Sequence, residues 1–191
     1  MTRILTTAVA LAAATQAQAG ALDRSGQSIA AIFESGTYAE LSFGSVAATV
    51  QGTAEPALGG FGSGDMVADH SQVGLAFKTD LSDSLSLGLI YDQPFGADVA
   101  YPTGTGYYAQ GTTARLTTDA LTLVARYRLP SNISFLGGIR YQSFAASAAI
   151  PFVADYSVTG DRDSSFGYLV GVAYEKPEIA LRVALTYNSA I

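Results

Sequence analysis

Apolar and polar residues alternate along most of the chain after residue 37, and a period of two is the mark of β-strands with two different faces. In residues 179–188 one face carries Ile, Leu, Val, Leu and Tyr, while the other carries Ala, Arg, Ala, Thr and Asn. Residues 121–128 alternate in the same way. Further segments with this pattern, the first of them weaker, lie at 38–50, 72–78, 85–92, 133–142 and 166–174. The pattern therefore predicts about seven strands and an all-β fold.

The connections between these strands alternate between long and short. The longer ones lie near 51–70, 93–113 and 148–163, and the tight ones at 80–83, 130–131 and 175–178. Short turns at one rim and long loops at the other are typical of an antiparallel transmembrane β-barrel of the outer membrane. A soluble sandwich also alternates, but it has no reason to separate its loops in this way. We therefore predict a barrel.

Aromatic residues of the apolar face fall at two heights when the strands are threaded up and down. The upper group is Tyr91, Tyr141, Phe166, Tyr168 and Tyr187, and the lower group is Phe77, Tyr127, Phe135 and Tyr174. Amphipathic rings prefer the headgroup boundary of a bilayer, so we interpret the two groups as aromatic girdles. The alternative is that these rings are ordinary core residues.

The opposite face of the strands would then line the lumen. Its charged residues are Glu40, Lys78, Asp92, Arg126, Arg128, Arg140 and Arg182. Its small residues include Gly74, Gly88, Gly138 and Gly171. A charge that faced lipid at mid-membrane would cost a few kcal/mol, so the shared phase of these charges supports the barrel. The glycines leave space inside it for a plug, a bound ligand or water.

Residues 1–19 have the pattern of a secretory signal peptide. Arg3 is followed by the short apolar run Ile4–Ala14 and by the small-residue cleavage site Ala17-Gln18-Ala19. This order is typical of export signals, and the run is too short to span a bilayer as a helix. A buried N-terminal helix is the alternative. We expect the mature protein to begin at Gly20 and to reach the bacterial outer membrane.

Composition narrows the class of protein. The absence of cysteine excludes a disulfide scaffold, a thiolate metal site and a cysteine nucleophile. The formal net charge of −6 argues against a nucleic-acid partner, which needs a basic surface. A chain that is 49% hydrophobic and 14% charged is unusual for a soluble exported protein. This balance favours a barrel embedded in lipid.

Signals for an enzyme or a metal site are weak. His70 is the only histidine, and no serine motif accompanies it as a Ser-His-Asp hydrolase requires. Gly60–Gly64 lacks the strand-to-helix context of a nucleotide site. Asp155, Asp161 and Asp163 offer a possible calcium site, but solvated loop charge is the better interpretation. We expect no catalytic residue, no cofactor and no metal.

Seven is an odd number, whereas an antiparallel barrel of a single bacterial chain has an even number of strands. Unpaired strand edges in hydrocarbon leave backbone groups without partners. We therefore expect the complete protein to contain further strands after residue 191. We also expect residues 1–191 alone not to fold stably, because two strand edges would lack partners.

Several stretches, in this order and spacing, resemble the FadL/TodX family of outer-membrane transporters for long-chain fatty acids and hydrocarbons. They are Gly74–Gly88, Asp92–Gly96, Val124–Tyr127, Gly137–Tyr141, Gly171–Glu175 and Arg182–Ser189. The resemblance implies a fourteen-stranded monomeric barrel, of which residues 37–191 would be the first half. It also implies an N-terminal lumen hatch, here residues 20–36. The family's Asn-Pro-Ala signature is replaced by Phe33-Glu34-Ser35-Gly36-Thr37.

The family's function implies passive capture of hydrophobic molecules by the loops and passage through a hatch-gated barrel. The ligand-binding candidates in the loops are Phe61, Met66, Phe95, Tyr101, Tyr107, Tyr108 and Phe152. These residues also suit simple packing of loop against loop. Arg140 and Arg182 either bind a substrate carboxylate or, as we rather expect, pair with Glu40, Asp92, Asp23 or Glu34. The expected partners are a hydrophobic small molecule and outer-membrane lipids.

Two other functions remain open. One is a small structural or adhesive barrel of about eight strands without transport activity, and the other is a barrel enzyme that acts on lipids through His70. Further strands after residue 191 would argue against the first. The second requires that the substitution His70→Ala abolish an activity.

Overall fold

The structure, a computed structural model, describes residues 22–191. The signal peptide predicted over residues 1–19 lies outside the described residues. The strands are β1 (Tyr38–Val46), β2 (His70–Asp80), β3 (Leu85–Asp92), β4 (Gly96–Ala100), β5 (Thr113–Arg128), β6 (Ile133–Ile150), β7 (Tyr156–Thr159), β8 (Asp163–Lys176) and β9 (Leu181–Asn188). Short 3-10 helices lie at Ala30–Phe33, Pro56–Leu58 and Pro177–Ile179.

All of these strands belong to one antiparallel sheet that curls into a half-barrel. Seven strands follow one another in the order β1-β2-β3-β5-β6-β8-β9. These are the seven strands that the alternation predicts, so the all-β antiparallel fold is confirmed. Tight turns connect β2 to β3, β5 to β6 and β8 to β9, as expected. At the first two turns the amides of Leu81 and Leu129 donate to the carbonyls of Leu85 and Ile133, both at 2.8 Å.

The prediction that 93–113 and 148–163 are loops without strands is wrong in part. The first contains β4, which pairs with β5, and the second contains β7, which pairs with β6. β5 and β6 are correspondingly longer than predicted, beginning at Thr113 and ending at Ile150. Small and polar residues dominate these extensions, so their pairing depends on backbone hydrogen bonds rather than on a buried apolar face, and alternation does not reveal it.

Two strand boundaries also differ from the prediction. β1 ends at Val46 rather than at residue 50. β9 begins at Leu181 rather than at Ile179, because Pro177–Ile179 form a 3-10 turn. The turn ends at Ala180, whose φ of 51° is incompatible with an extended strand.

The two faces of the sheet have opposite character. Large apolar side chains on the convex face are exposed, including Leu41, Phe43, Phe77, Leu123, Phe135, Ile139, Phe166, Tyr168, Val183 and Leu185. Polar side chains on the concave face are buried, including Lys78, Ser86, Asp92, Thr122, Arg126, Ser134 and Arg140. A water-soluble domain has the reverse arrangement. The predicted division of residues between the two faces is confirmed for these positions.

Three charged residues that share the concave phase are not enclosed. Glu40 and Arg182 lie on β1 and β9, at the two ends of the strand order, and Arg128 lies beside the turn after β5. All three are exposed. Among residues 22–191 no helix is both long and apolar enough to cross a membrane.

The hydrophobic core of the described chain lies on the concave side. Its buried members are Ile32 and Phe33, which precede the sheet, and Ile90, Val124, Leu136, Leu169 and Ala173 from four strands. The core therefore joins residues 22–36, hereafter the N-terminal segment, to the concave face. Residues of β1 contribute nothing to it.

Candidate functional site

The N-terminal segment lies against the concave face and is fixed at both ends by backbone contacts. At its start Asp23 pairs with Phe95, the amide of Arg24 donates to the carbonyl of Pro94 at 2.8 Å, and Gly96 donates to Leu22 at 2.9 Å. At its end the Nζ of Lys78, a side chain only 2% exposed, donates to the carbonyl of Gly36 at 2.9 Å. The segment thus runs along the inside of the sheet, from the connection between β3 and β4 to the C-terminal end of β2.

A glycine on the sheet makes room for the apolar part of this segment. Ile32 is completely buried, and its Cδ1 lies 3.0 Å from the position that a Cβ on Gly88 would occupy. The same position is 3.3 Å from the Cγ1 of Val124. Even a single added methyl group at 88 would be in tight contact and would require Ile32 to shift slightly, so the N-terminal segment occupies the space that we expected Gly88 to leave.

Phe33, a predicted hatch residue, lies between two guanidinium groups. The Cζ atoms of Arg126 and Arg182 are 4.8 Å and 4.6 Å from its ring centroid. Glu175 holds both arginines, since it pairs with Arg126 and accepts from the Nε of Arg182 at 3.1 Å. Cations over an aromatic face are attracted by its quadrupole, more strongly where water is excluded. The acid that pairs with Arg182 is therefore Glu175, not one of the four predicted acids.

A cavity of about 630 Å³ opens at this end of the sheet. All four predicted hatch residues, Phe33, Glu34, Ser35 and Gly36, line it. The cations around it are Lys78, Arg126, Arg128 and Arg182. Asp80 accepts from Lys78 at 2.5 Å and from the hydroxyl of Ser86 at 2.6 Å, so the buried ammonium group is neutralised locally. Polar contacts thus surround the aromatic anchor Phe33.

Near the middle of the concave face, two further charged residues bind the first half of the segment. The hydroxyl of Ser25 donates to the Oδ2 of Asp92 at 2.5 Å. Arg140 donates to the side-chain oxygen of Gln27, and its Nε donates to the Oγ1 of Thr122 at 2.8 Å. Arg140 makes no ion pair within the described residues, contrary to our expectation of an acidic partner.

Aromatic residues from two loops form a third arrangement, the loop aromatic cluster, which consists of Tyr101, Tyr107, Tyr108 and Phe152. Tyr101 stacks on Tyr107 with centroids 5.5 Å apart, and the Tyr107 and Tyr108 rings are 4.6 Å apart. The edge-to-face contact between Tyr108 and Phe152 spans 5.5 Å. The structure therefore brings together four of the predicted loop residues.

The other predicted loop residues lie around this cluster or away from it. The ring of Phe61 lies 3.1 Å from the position of a Cβ on Gly106, in the second loop. The carbonyl of Met66 accepts from the amide of Ala100 at 3.0 Å. Phe95 pairs instead with the N-terminal segment, and Thr118 caps both its amide and its carbonyl. Arg140 and Arg182 lie on the concave face and do not join the cluster.

Ion pairs that the sequence did not suggest fix the loop side of the sheet. Arg162 bonds to Asp119 at 2.7 Å, and Arg115 bonds to Asp98 at 3.1 Å. The hydrogen bond to the Asp119 carboxylate raises the pKa of the Arg162 guanidinium. Arg162 follows β7, and Asp98 belongs to β4, so neither partner could be placed before these two short strands were known.

His70 was the sequence's candidate for catalysis, and the loop aspartates were its candidates for a metal site. His70 begins β2 and lines a cavity of about 300 Å³ with Asp69, Asp98 and Arg115. Within residues 22–191 no three His, Cys, Asp or Glu side chains come together as ligands of a metal ion.

The most informative residues that sequence reasoning missed are large apolar residues on the concave face. Val124, Leu136 and Leu169 point inward, next to the buried polar residues of the same strands. A signal was present, because each is a large apolar residue at a position where the alternation calls for a polar or small one. No signal pointed to Gln27, since its partner Arg140 lies 113 residues away along the chain. For Glu175 a signal was present, because it lies directly opposite Arg182 across the tight turn between β8 and β9.

The comparisons with known proteins add no relative. No model of a known protein family matches this chain, and no curated protein matches it either.

Proposed function

We propose that this chain is part of an outer-membrane β-barrel that transports hydrophobic compounds, long-chain fatty acids foremost. Capture by the loops would be followed by passive passage through a barrel whose lumen the N-terminal segment gates. The observation that carries the proposal is the apolar stripe on the concave face, formed by Ile90, Val124, Leu136, Leu169 and Ala173, which the N-terminal segment covers. The interior of a water-filled pore is polar instead.

The inverted distribution of side chains supports a location in lipid. The convex face exposes Leu185 to 73% and Phe166 to 70%, while the concave Lys78 and Arg140 are 2% and 3% exposed. An apolar outer surface is stable only where hydrocarbon covers it. The fatty-acid transporter resemblance supports the further proposal that the complete protein has fourteen strands and acts as a monomer.

The combination of apolar and cationic groups on the concave face supports amphiphilic cargo. The apolar stripe gives a chain of methylene groups a surface to contact, and its transfer from water is favoured at about 25 cal/mol per Å². Arg126 and Arg140 lie on the same strands as Val124 and Leu136. A molecule with an apolar tail and a carboxylate matches this pairing, because guanidinium groups bind carboxylates well.

The loop aromatic cluster supports capture. Its four rings belong to two different loops, so together they make a broader apolar surface than either loop provides alone. Tyr108 and Phe152 remain 43% and 52% exposed, so these two rings present surface to a ligand. Aromatic rings of this kind supply large contact area at a low entropic cost.

The direct test is uptake of labelled oleate by cells that carry the complete gene, compared with cells that lack it. We expect faster uptake with the gene, and loss of that gain when Phe33–Thr37 is deleted. Immunoblots of the outer-membrane fraction control for the amount of protein. Equal uptake with and without the gene, for fatty acids and for simple aromatics, would refute transport and leave the structural-barrel alternative.

A further inference from the structure

Two oppositely charged side chains on the concave face are kept apart by the N-terminal segment. Asp92 and Arg140 are both buried, and each binds one residue of the segment, Ser25 and Gln27 respectively. The two segment residues belong to one turn, because the amide of Gln27 donates to the hydroxyl of Ser25 at 3.2 Å. The carboxylate and the guanidinium therefore lie on either side of a single turn of the chain.

The strand register places Asp92 and Arg140 within reach of each other. Arg140 pairs with Thr122, which pairs with Ile90, and Asp92 is two residues beyond Ile90 on the same face. Two strand spacings and two residues along a strand separate the α-carbons by about 12 Å. Arg140 already extends toward β5, where its Nε contacts Thr122 at 2.8 Å. An arginine and an aspartate side chain together span this gap.

When the segment lies on the concave face, two energetically unfavourable features have no compensating contact. The Oδ1 of Asp92 is buried and has no hydrogen-bond partner among the described residues. A buried carboxylate oxygen without a donor is unfavourable. In addition, Gln27 has a φ of 49°, the left-handed region that side chains other than glycine rarely adopt. Both costs would disappear if the turn left the concave face.

There is space for such a movement. A cavity of about 360 Å³ lies along the segment and is lined by Ser25, Ser28, Ala30 and Ala31 on one side and by β1 to β3 on the other. The first part of the segment is therefore bordered by the sheet on one side and by open volume on another. Ile32 and Phe33 are packed into the apolar core, so a segment that leaves the concave face as a whole uncovers Val124.

We propose that Asp92 and Arg140 form a two-state lock for the N-terminal segment. In the seated state they bind Ser25 and Gln27, and in the displaced state they bind each other as an ion pair. This lock rests on the proposed function in one respect, namely that the segment moves in order to let cargo pass. The released pair stabilises the displaced state, so the lumen does not have to expose two unpaired charges while cargo passes.

The test uses thiol labelling of the complete protein in outer membranes. Residues 1–191 contain no cysteine, so Val124→Cys introduces a thiol at a fully buried core position next to Ile32. Its reaction with a water-soluble maleimide, read by mass spectrometry of the peptide that contains it, reports how often the segment leaves. In this background Ser25→Ala and Gln27→Ala should each raise the labelling rate about tenfold, since each removes a hydrogen bond to a charged group.

The decisive variant is Asp92→Asn. It retains an acceptor for Ser25 but removes the ion pair of the displaced state, so the lock predicts a labelling rate about tenfold lower than the parent. If Asp92 serves only to hold Ser25, the rate will rise or stay constant, and the proposal is overturned. Asp98→Asn, an acid of the loop rim that binds Arg115, is the matched control and should leave the rate unchanged.

A second variant keeps the proposal testable if Asn at 92 prevents assembly. Arg140→Lys preserves the charge for Asp92 but replaces the separate donors that contact Thr122 and Gln27 with a single ammonium group, which should hold the segment less well. The rate should therefore rise, and a rate equal to the parent's overturns the lock. Oleate uptake by the same strains separates the two proposals. Labelling rates that follow the prediction without any uptake refute transport alone, whereas uptake with unchanged rates refutes the lock alone.

Discussion

Adjacent residues of one strand meet opposite environments in this sheet, and the pair Ile139 and Arg140 on β6 shows the contrast clearly. Ile139 belongs to the convex face and is 56% exposed, although it is strongly apolar. Arg140 belongs to the concave face and is only 3% exposed, although it carries a charge. Apolar side chains are thus exposed and polar side chains are buried, the reverse of a water-soluble domain. The face of the sheet on which a residue lies, rather than its hydrophobicity, therefore decides how much its substitution destabilises the protein.

The largest effect should come from a charge left alone on the concave face. Glu175→Ala leaves the buried Arg126 without its acid, and breaking a buried pair costs roughly 3–5 kcal/mol. We expect the urea midpoint of the complete barrel in lipid vesicles to fall accordingly. Asp98→Ala breaks the pair with Arg115, which is 66% exposed, and should cost at most about 1 kcal/mol. Equal losses of stability in the two variants would contradict the distinction between the buried ion pair of the concave face and the exposed ion pair near the loops.

The next effect tests the convex face directly. If the convex face contacts lipid as proposed, Leu185→Arg places a charge in hydrocarbon, at a cost of roughly 2–4 kcal/mol near the bilayer midplane. Thr186→Arg, one residue along the same strand, should be tolerated because its phase is that of the lumen. The measurement is the fraction of heat-modifiable, folded barrel in outer membranes. If both variants assemble equally well, the convex face is not in contact with lipid.

A smaller effect should follow from filling the space under the N-terminal segment. Gly88→Val collides with Ile32, and overpacking of this kind typically costs about 1–3 kcal/mol. We expect faster maleimide labelling of Val124→Cys, because the segment is pushed away. Gly137→Val is the matched control, since a Cβ at 137 meets nothing within 4 Å. An identical labelling rate in both variants would show that the segment does not depend on the space at Gly88.

The smallest effect belongs to the exposed pair at the loop rim. Arg162→Ala removes the contact with Asp119, and an exposed ion pair of this kind contributes little to the free energy of unfolding. Salt should abolish this contribution, because it screens exposed charges. Urea unfolding at low and at high salt measures the difference. A loss that persists at high salt would mean that Arg162 acts through packing instead.

Most of the sheet could be predicted from alternation alone, because a strand with one apolar and one polar face gives apolar and polar residues at alternate positions in the sequence. The seven main strands and their tight turns follow from this pattern. β4 and β7 could not be found, since five and four residues of mixed character carry too little periodicity. Their positions are set by the backbone edges of β5 and β6, which the sequence does not display.

The candidate site was predictable only where local composition signals it. The tyrosines of the loop cluster stand out because aromatic residues are conspicuous in loops. The predicted acids are not the acceptors of Arg140 and Arg182 in the structure, because charge alone does not say which residue supplies the acceptor. Gln27 of the N-terminal segment accepts from Arg140, and Glu175 on the adjacent strand accepts from Arg182. Gln27 and Glu175 contact these arginines across separations of 113 and 7 residues, and only the fold brings the first pair together.

The position of the N-terminal segment also sets an order of events during assembly. Its residues precede every described strand, yet Gln27 contacts Arg140 and Ser25 contacts Asp92, which lie 113 and 67 residues further along the chain. Contacts between residues so distant along the chain are slow to form, because the intervening loop has to close first. The contacts of the segment with the concave face are complete only when β3, β5 and β6 are in place, so we expect the wall of the half-barrel to form before the segment fills the space inside it.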